Sequence, residues 1–549
     1  MKVRLASVSA LFATLVLVSH AEAQTVAPDA FVCPQAFDPF IGLTDLGDEL
    51  GFAMAASADL LAVGAPASRD SGGEEGAVYL YHVNSSTGHV VPSGFLTPLL
   101  ASNVERFGSS LALDGSLLIV GAPDKAGQTD VGSVHVFADL PGLGLIPITT
   151  ISPPLDSSGS GGGQFGASVE LSGDRLFVGA PTRRLGGNAP FSGVVFEYLV
   201  GPAGGFYLWD IIKPPVPVDG QAFGQSISYD ASQDRLAVGS PGGTFLGSTP
   251  TRVYVLERGG DGRFEASAIL SPSSAPPSGV VDRFGRTVAL DGDRLLCGTQ
   301  RLTAVDRAGF VFERDQVQGW QETAVLQFQG SGNVSAQVDC AFLDDGAVLS
   351  SDRGVARFRQ NGSGSWSKVY TYSQLPAGTS NDAASSIALP NGVVVCGNST
   401  NEQCGSPNLA TGGFAVWRDR RLLSDVHTAS IAAPGSQRLI LDGGLSHVGR
   451  PYMLFGSADA SGPGIDLGNG EVFPLDVDDY FNLVLASPRI VFDVPIGLFD
   501  EHGIATVTYQ LPAGVDPSLA GVELFHAWVS VAPDFSLTAS NAESVVLVP

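Results

Sequence analysis

Two adjacent arginines, Arg183 and Arg184, are the residues of this sequence with the clearest means of binding something. The chain of 549 residues carries 29 basic against 55 acidic residues, a formal net charge of −26. Two neighbouring guanidiniums on such a chain attract carboxylate or sulfate groups, which arginine holds through paired N–H donors in a way lysine cannot. Arg69, Asp70 and Lys125 stand in comparable polar stretches upstream and join the arginines as candidate ligand-face residues. Asp230 and Asp234, flanking Ala231, Ser232 and Gln233, are the candidate metal residues, because carboxylate oxygens on a short loop are calcium ligands. His447, His502 and His526 share the C-terminal part of the chain with Asp500 and Glu501, and are expected as turn and surface residues. Asp476, Asp478 and Asp479 are expected as a solvated turn.

Catalytic patterns are missing. The nucleophile elbow G-x-S-x-G is absent, and residues 444–449 miss it by one residue too many. There is no H-E-x-x-H and no paired-cysteine zinc set. The expectation is a protein without catalytic residues and without a cofactor.

The elements that must position these residues come from a repeat. Residues 107–123 read FGSSLALDGSLLIVGAP, and the chain writes close copies starting at positions 50, 165, 223 and 284, a step of about 58 residues. A fixed period of this kind marks a repeat architecture. Phe107, Ser109, Leu111 and Leu113 alternate with small residues, as a half-buried strand does. Asp114-Gly115 is a hairpin signal. The next run, 117–120, is apolar throughout and needs cover on both faces. A third strand follows a polar loop, at 76–81, 132–137 and 193–198. A fourth begins near an aromatic at Phe206, Phe264, Trp320 or Trp366. Four strands per unit, stacked face to face, is the arrangement of a β-propeller blade.

The spacing FG…VGAP followed by a G-x-V-x-hydrophobic strand resembles the FG-GAP repeat of integrin α-subunit propellers and many secreted bacterial proteins. The resemblance covers about residues 35–420. It implies a seven-bladed propeller used mainly for extracellular recognition. Many such blades carry D-x-D-x-D-G calcium loops in the first hairpin. Here those hairpins are DGS, SGD, DGD and PNG, which does not support calcium. Two eroded copies, at 338–351 and 383–398, bring the count to seven blades, with six as the alternative. Residues 24–34 read as a loose leader, and 36–43 as the strand that closes the ring against the last blade.

The rest of the chain sets the context. A positive start, an apolar stretch over about 10–18 and Ala21-Glu22-Ala23 fit a secretory signal peptide over 1–23, cleaved after Ala23. No later run spans a bilayer, so the mature chain is expected without a transmembrane segment, secreted or periplasmic, or associated with the cell surface. The acidic balance excludes nucleic acid as a partner. Cys297 and Cys396 take the place of Val120 and read as small core residues. A bridge between two of Cys33, Cys396 and Cys404 stays open. The domains expected are a propeller over 24–421 and a β-sandwich over 422–549, whose short apolar runs alternate with Gly, Pro and Asp turns. It resembles a C-terminal module common on secreted, repeat-bearing bacterial proteins.

The function expected is an exported, non-enzymatic binding, adhesion or scaffold protein that recognises a protein, glycan or envelope component. Its propeller loops at 67–75, 124–131, 182–192 and 242–251 would carry the contacts. The alternative is a secreted polysaccharide hydrolase or lyase.

Overall fold

The computed structural model describes residues 25–26 and 30–32 and, apart from stretches of loop such as 373–385 and 398–412, residues 49–549. The chain divides into two compact units. One comprises residues 29–356 and 374–418. The other comprises 1–28, 357–373 and 419–549. Among the described residues no helix is long and apolar enough to cross a membrane.

The protein is all-β, and its repeats fold as four-stranded antiparallel sheets. In the second sheet, Ser110–Asp114, Leu117–Ala122, Ser133–Leu140 and Gly144–Ile151 lie side by side in chain order. Leu111 pairs with Val120 and Leu113 with Leu118, so the hairpin register is the one the Asp114-Gly115 turn demands. From Leu118 to Ala122 the second strand is buried on both faces, as its unbroken apolar run requires. Phe107, Phe165, Phe223 and Phe284, which open successive repeats, are each 0 % exposed. Phe165, Phe223 and Phe284 meet Phe196, Tyr254 and Phe310 edge to face at 5.2, 5.3 and 5.5 Å between ring centroids.

Two glycines of the repeat interlock neighbouring sheets. A Cβ on Gly179, in the second strand of the third sheet, would lie 2.1 Å from the carbonyl oxygen of Gly224, at the entry to the fourth. Gly224 has φ +91, a conformation that side chains other than glycine rarely adopt. A hydroxyl sits beside each contact. Ser168 Oγ donates to Gly224 O at 2.8 Å, Ser110 Oγ to Gly166 O at 2.7 Å, and Thr287 Oγ1 to Val338 O at 2.7 Å. The F-G-x-[ST] spacing of the repeat is therefore a latch between sheets.

The succession closes on itself. The first strands Met54–Ser57, Ser110–Asp114, Ser168–Ser172, Ser226–Asp230, Thr287–Asp291, Asp339–Leu343 and Ser386–Leu389 each neighbour the next, and the last neighbours the first. A Cβ on Gly397 would sit 2.2 Å from Gly51 O, the same interlock across the closing seam. The sheet holding Ser386–Leu389, Val393–Gly397 and Phe414–Arg418 takes its outer strand from the N-terminal part of the chain. That strand is Ala30–Val32, paired antiparallel with Phe414–Arg418. The closing strand was expected at 36–43, which lies outside the described residues. The supposed leader instead holds this strand and Thr25–Val26, which pairs parallel with Trp366–Tyr372. Ala30-Phe31-Val32 is a short apolar run, enough to complete an edge.

Outer strands are blunted. In five sheets the ladder between third and fourth strands slips by one residue, leaving Ser93, Ile148, Trp209, Ser267 and Thr323 without a partner. Such bulges bend an edge away from further pairing. The described cysteines Cys297, Cys340 and Cys396 are buried free thiols. Burial pushes the Cys297 and Cys396 thiols well up from their ordinary value, which suits core residues. Cys33 and Cys404 lie outside the described residues.

In the C-terminal unit a three-stranded sheet (Leu422–Ser424, Gly435–Asp442, Ile504–Leu511) shares one core with a six-stranded sheet built on Pro451–Ser457 and Glu523–Val531. Leu439, Leu441 and Val507 from the first pack with Leu454, Trp528 and Val545 from the second. A helix of two turns, Asp479–Ala486, lies against Pro451–Ser457.

Candidate functional site

The two arginines part company. Arg183 follows the buried second strand of the third sheet, and its side chain turns inward to 7 % exposure. Its Nη2 donates to Pro154 O at 2.7 Å, and the guanidinium lies 5.9 Å from the centroid of Phe196. It is spent on a part-buried carbonyl and turned away from solvent, which corrects its assignment to the recognition face. Arg184 points out. Its guanidinium stacks 3.8 Å over the ring of Phe191, which is 42 % exposed. The backbones of Arg184 and Phe191 bridge antiparallel, and Phe191 N donates to Asp219 Oδ1 at 2.8 Å. Both ends of the loop are thus pinned, and the cation rests on an aromatic shelf with its donor edge free to turn outward. Arg69, Asp70 and Lys125 lie outside the described residues.

Asp230 and Asp234 are taken by protein donors. Asp230 accepts from Ser232 N and, across to the next hairpin, from Gly292 N, both at 2.8 Å. Asp234 accepts from Tyr229 Oη at 2.8 Å and Arg258 Nε at 2.7 Å. Burial alone would raise both carboxyls; the hydrogen bonds outweigh it and hold both below the ordinary range. These residues join hairpins, and the pair gathers no third ligand among the described residues.

Asp234 belongs to an ionic cluster that joins the third and fourth sheets. Glu197, 0 % exposed, is gripped by Arg175 Nη1 from its own sheet and by Arg258 Nη2, at 3.0 Å, from the next. Arg235, 2 % exposed, binds Glu257 at 3.0 Å and Asp293 at 3.1 Å. Arg314 reaches Glu257 at 3.3 Å, and this second cluster joins the fourth and fifth sheets. The sequence signal of both clusters is the recurrence of Asp-Arg-Leu at 174–176, 234–236 and 293–295 with a glutamate at 197, 257 and 313, which reading for catalytic motifs passes over.

His447, His502 and His526 are buried, contrary to their expected surface placement. His526 is 0 % exposed, with its ring 5.2 Å from Phe492 and 4.8 Å from Tyr509 and its Nε2 3.2 Å from Tyr480 Oη. His447 packs edge-on to Phe499 and Trp528. His502 is 7 % exposed. Alternation along Glu523–Val531 places His526 on the same face as Trp528, toward the core. The acidic residues are structural. Asp478 caps the helix, accepting from Phe481 N at 2.6 Å and from Ser457 Oγ at 2.9 Å. Asp476 accepts from Gly462 N, and Asp500 from His502 N and Ile504 N.

Burial holds the His526 imidazole down at about 3 from its ordinary 6.5, so the folded chain keeps it neutral. In the unfolded chain it takes a proton below about pH 6.5, and folded stability is therefore complete above that pH and falls as pH drops toward 3. At pH 4.5 the loss from this residue is roughly 2–3 kcal/mol. Chemical denaturation at pH 7.5 and 4.5 should show it, and His526→Phe should shrink the difference between the two. An unchanged difference would assign the acid sensitivity elsewhere.

The family model described as "FG-GAP repeat" matches residues 44–81 and 96–137. No curated protein matches the chain. Among solved structures, a protein from Lactobacillus plantarum is similar at 15 % identity and a TM-score of 0.41, over 63 % of this chain and 96 % of its own. A periplasmic gluconolactonase from Pseudomonas aeruginosa is similar at 16 % identity and a TM-score of 0.41, over 59 % and 85 %. A putative 6-phosphogluconolactonase from Bacteroides uniformis is similar at 10 % identity and a TM-score of 0.40, over 59 % and 86 %. The matched segments lie on the first two sheets and carry the FG-GAP repeat, within an all-β body whose recurring four-stranded sheets are consistent with a β-propeller.

Proposed function

We propose that the chain is an exported, non-enzymatic binding protein, secreted, periplasmic or held at the cell surface. In this reading residues 1–23 are removed as a signal peptide, 24–421 form a seven-bladed propeller and 422–549 a β-sandwich. The cyclic succession of first strands supports seven blades, and the core shared by two sheets supports the sandwich. Recognition of a protein, glycan or envelope component falls to the loops joining second and third strands.

The observation that carries this reading is Arg184, an exposed cation stacked on an exposed ring at the base of one such loop. A guanidinium so held loses less side-chain freedom on meeting a carboxylate or sulfate. Screening the mature chain against acidic glycans and proteins should give a ligand whose affinity falls with salt. Arg184→Ala should weaken it at least about tenfold, roughly 1.4 kcal/mol, with folding changed by no more than about 0.5 kcal/mol. A ligand indifferent to both salt and Arg184→Ala would overturn the assignment.

One observation favours the hydrolase or lyase reading. Burial, with Asp114 adding to it, pushes the Glu170 carboxyl up to about 7, where a carboxyl works as general acid or base. Glu170 Oε1 accepts from Tyr229 N at 3.4 Å, an occupation that suits a strap between inner strands. Glu170→Gln separates the readings, since a binding protein keeps its affinity and a hydrolase loses turnover.

A further inference from the structure

We propose that the outer strand of the third sheet, Phe206–Ile212, with Lys213 at its end, is a docking strip for an acidic polysaccharide chain. The proposal rests on the reading of the protein as a binder, and it adds a second surface to the loop that carries Arg184.

Tyr207, Leu208 and Trp209 are 64, 42 and 51 % exposed. Single exposed apolar residues are ordinary; three large ones clustered at the bulge of one strand, where alternation is interrupted, stand out. Tyr207 is held in place. Its ring lies so close over the preceding turn that a Cβ on Gly201 would come within 2.9 Å of Cε2, and one on Gly205 within 2.9 Å of the hydroxyl. Glycine at both positions leaves the room the ring occupies.

The ladder argues against a protein strand as occupant. Asp210 pairs with Glu197 and Leu208 with Tyr198, so Trp209 is the extra residue of a bulge. An edge interrupted in this way does not accept a further strand, whether from a peptide or from a second copy of the chain. Exposed rings that cannot recruit a strand suit a ligand with C–H faces to stack and polar groups at its rim, which describes a sugar.

Charge selects the kind of sugar. Arg263, 64 % exposed at its side chain, is paired with Asp210 at 3.3 Å, and Lys213 is exposed where the strand ends. On a chain of net charge −26, Lys213 and the solvent-facing side of the paired Arg263 stand beside exposed rings and complement a polymer bearing carboxylates. The segment leaving Lys213 runs to Asp219, which fixes Phe191 under Arg184. Seven residues at ~3.3 Å each give a strip of about 23 Å, room for several sugar rings.

The test titrates octagalacturonate, and maltooctaose as a neutral oligomer of equal length, into the mature full-length chain at low and high salt. Octagalacturonate should bind at least tenfold tighter than maltooctaose and weaken with salt. The double variant Tyr207→Ala, Trp209→Ala should lose at least tenfold in affinity with an unchanged melting curve, while Trp209→Phe, which keeps a ring, should retain most of it. Lys213→Gln should cost a few-fold. No binding of octagalacturonate by the wild type, equal binding of maltooctaose, or indifference to the double variant would each overturn the strip. If the double variant is indifferent while Arg184→Ala abolishes binding, the loop reading stands alone; the opposite result keeps the strip and removes the loop. A protein ligand captured through Tyr207 and Trp209 in place of the oligosaccharide would overturn the polysaccharide assignment.

Discussion

Glu197→Ala should destabilise the repeat-bearing unit by about 3–5 kcal/mol, the cost typical of breaking a buried ion pair from one side. Glu197 is fully buried, and both Arg175 and Arg258 spend donors on it. Removing the carboxylate leaves Arg175 without its buried partner and Arg258 with Asp234 as its remaining anion. Desolvation that the pairing offsets in the native protein then stands uncompensated. The loss would be read as a fall in the urea midpoint at constant m-value. A companion experiment isolates the charge from the packing. Replacing Arg175, Glu197 and Arg258 together by apolar residues of similar volume should recover much of the loss, since buried ionic clusters are often no more stable than packed hydrocarbon. A single variant within about 1 kcal/mol of wild type would mean that water reaches this cluster of charges.

Gly179→Ala should be comparably damaging for a different reason. The added methyl would stand 2.1 Å from Gly224 O and 2.2 Å from Ser168 Oγ, distances at which backbone must move. Neither neighbour is the far end of a long side chain, so the third and fourth sheets would have to separate locally and the Ser168 latch would break. Overpacking of this kind costs about 1–3 kcal/mol and sometimes more; with a latch lost as well, about 3 kcal/mol or a failure to fold is expected. Gly173→Ala is the control. That glycine, unlike Gly179, has a positive φ, at +58, and nothing lies within 4 Å of its Cβ position. It should lose only about 1 kcal/mol of backbone preference. Equal effects at the two positions would show that contact between sheets does not explain the glycine in V-G-A-P.

The repeat was open to reading because burial and turn chemistry act on neighbours in sequence. Phe107 to Pro123 announces its hairpin through Asp114-Gly115 and its sandwiched strand through four apolar residues in a row. Partners brought together only by the stacking of sheets were not open in the same way. Ser168 and Gly224 stand in different repeats, and nothing local says that one binds the other. Arg183 and Arg184 are alike as residues; a one-residue step through a turn sends the first to Pro154 and the second onto Phe191. His526 looks like any histidine beside a turn until alternation along Glu523–Val531 is counted from Trp528. The strand completing the last sheet was expected at 36–43, and Ala30–Val32 takes that place, because a three-residue edge needs too little apolar sequence to stand out from its surroundings.

That closing strand also governs the order in which the molecule can assemble. The first five sheets each form from residues close in the chain, so their hairpins and whole sheets can appear as soon as their own segment has emerged from the ribosome. The pairing of Val32 with Phe414 cannot. It joins residues separated by nearly the whole repeat region, and bringing two such distant points together costs about 5 kcal/mol of chain entropy if nothing else has folded. The native order therefore runs from local sheets, through a growing open arc, to a final seam that forms only when the last repeat is available. Each sheet stacked along the arc shortens the effective loop and lowers the entropy still to be lost, so closure is slow for a bare chain and fast for a nearly completed one. Until then the inner face of the first sheet and the edge of Phe414–Arg418 stay uncovered, and this interval is when two nascent chains are best able to exchange their N-terminal strands.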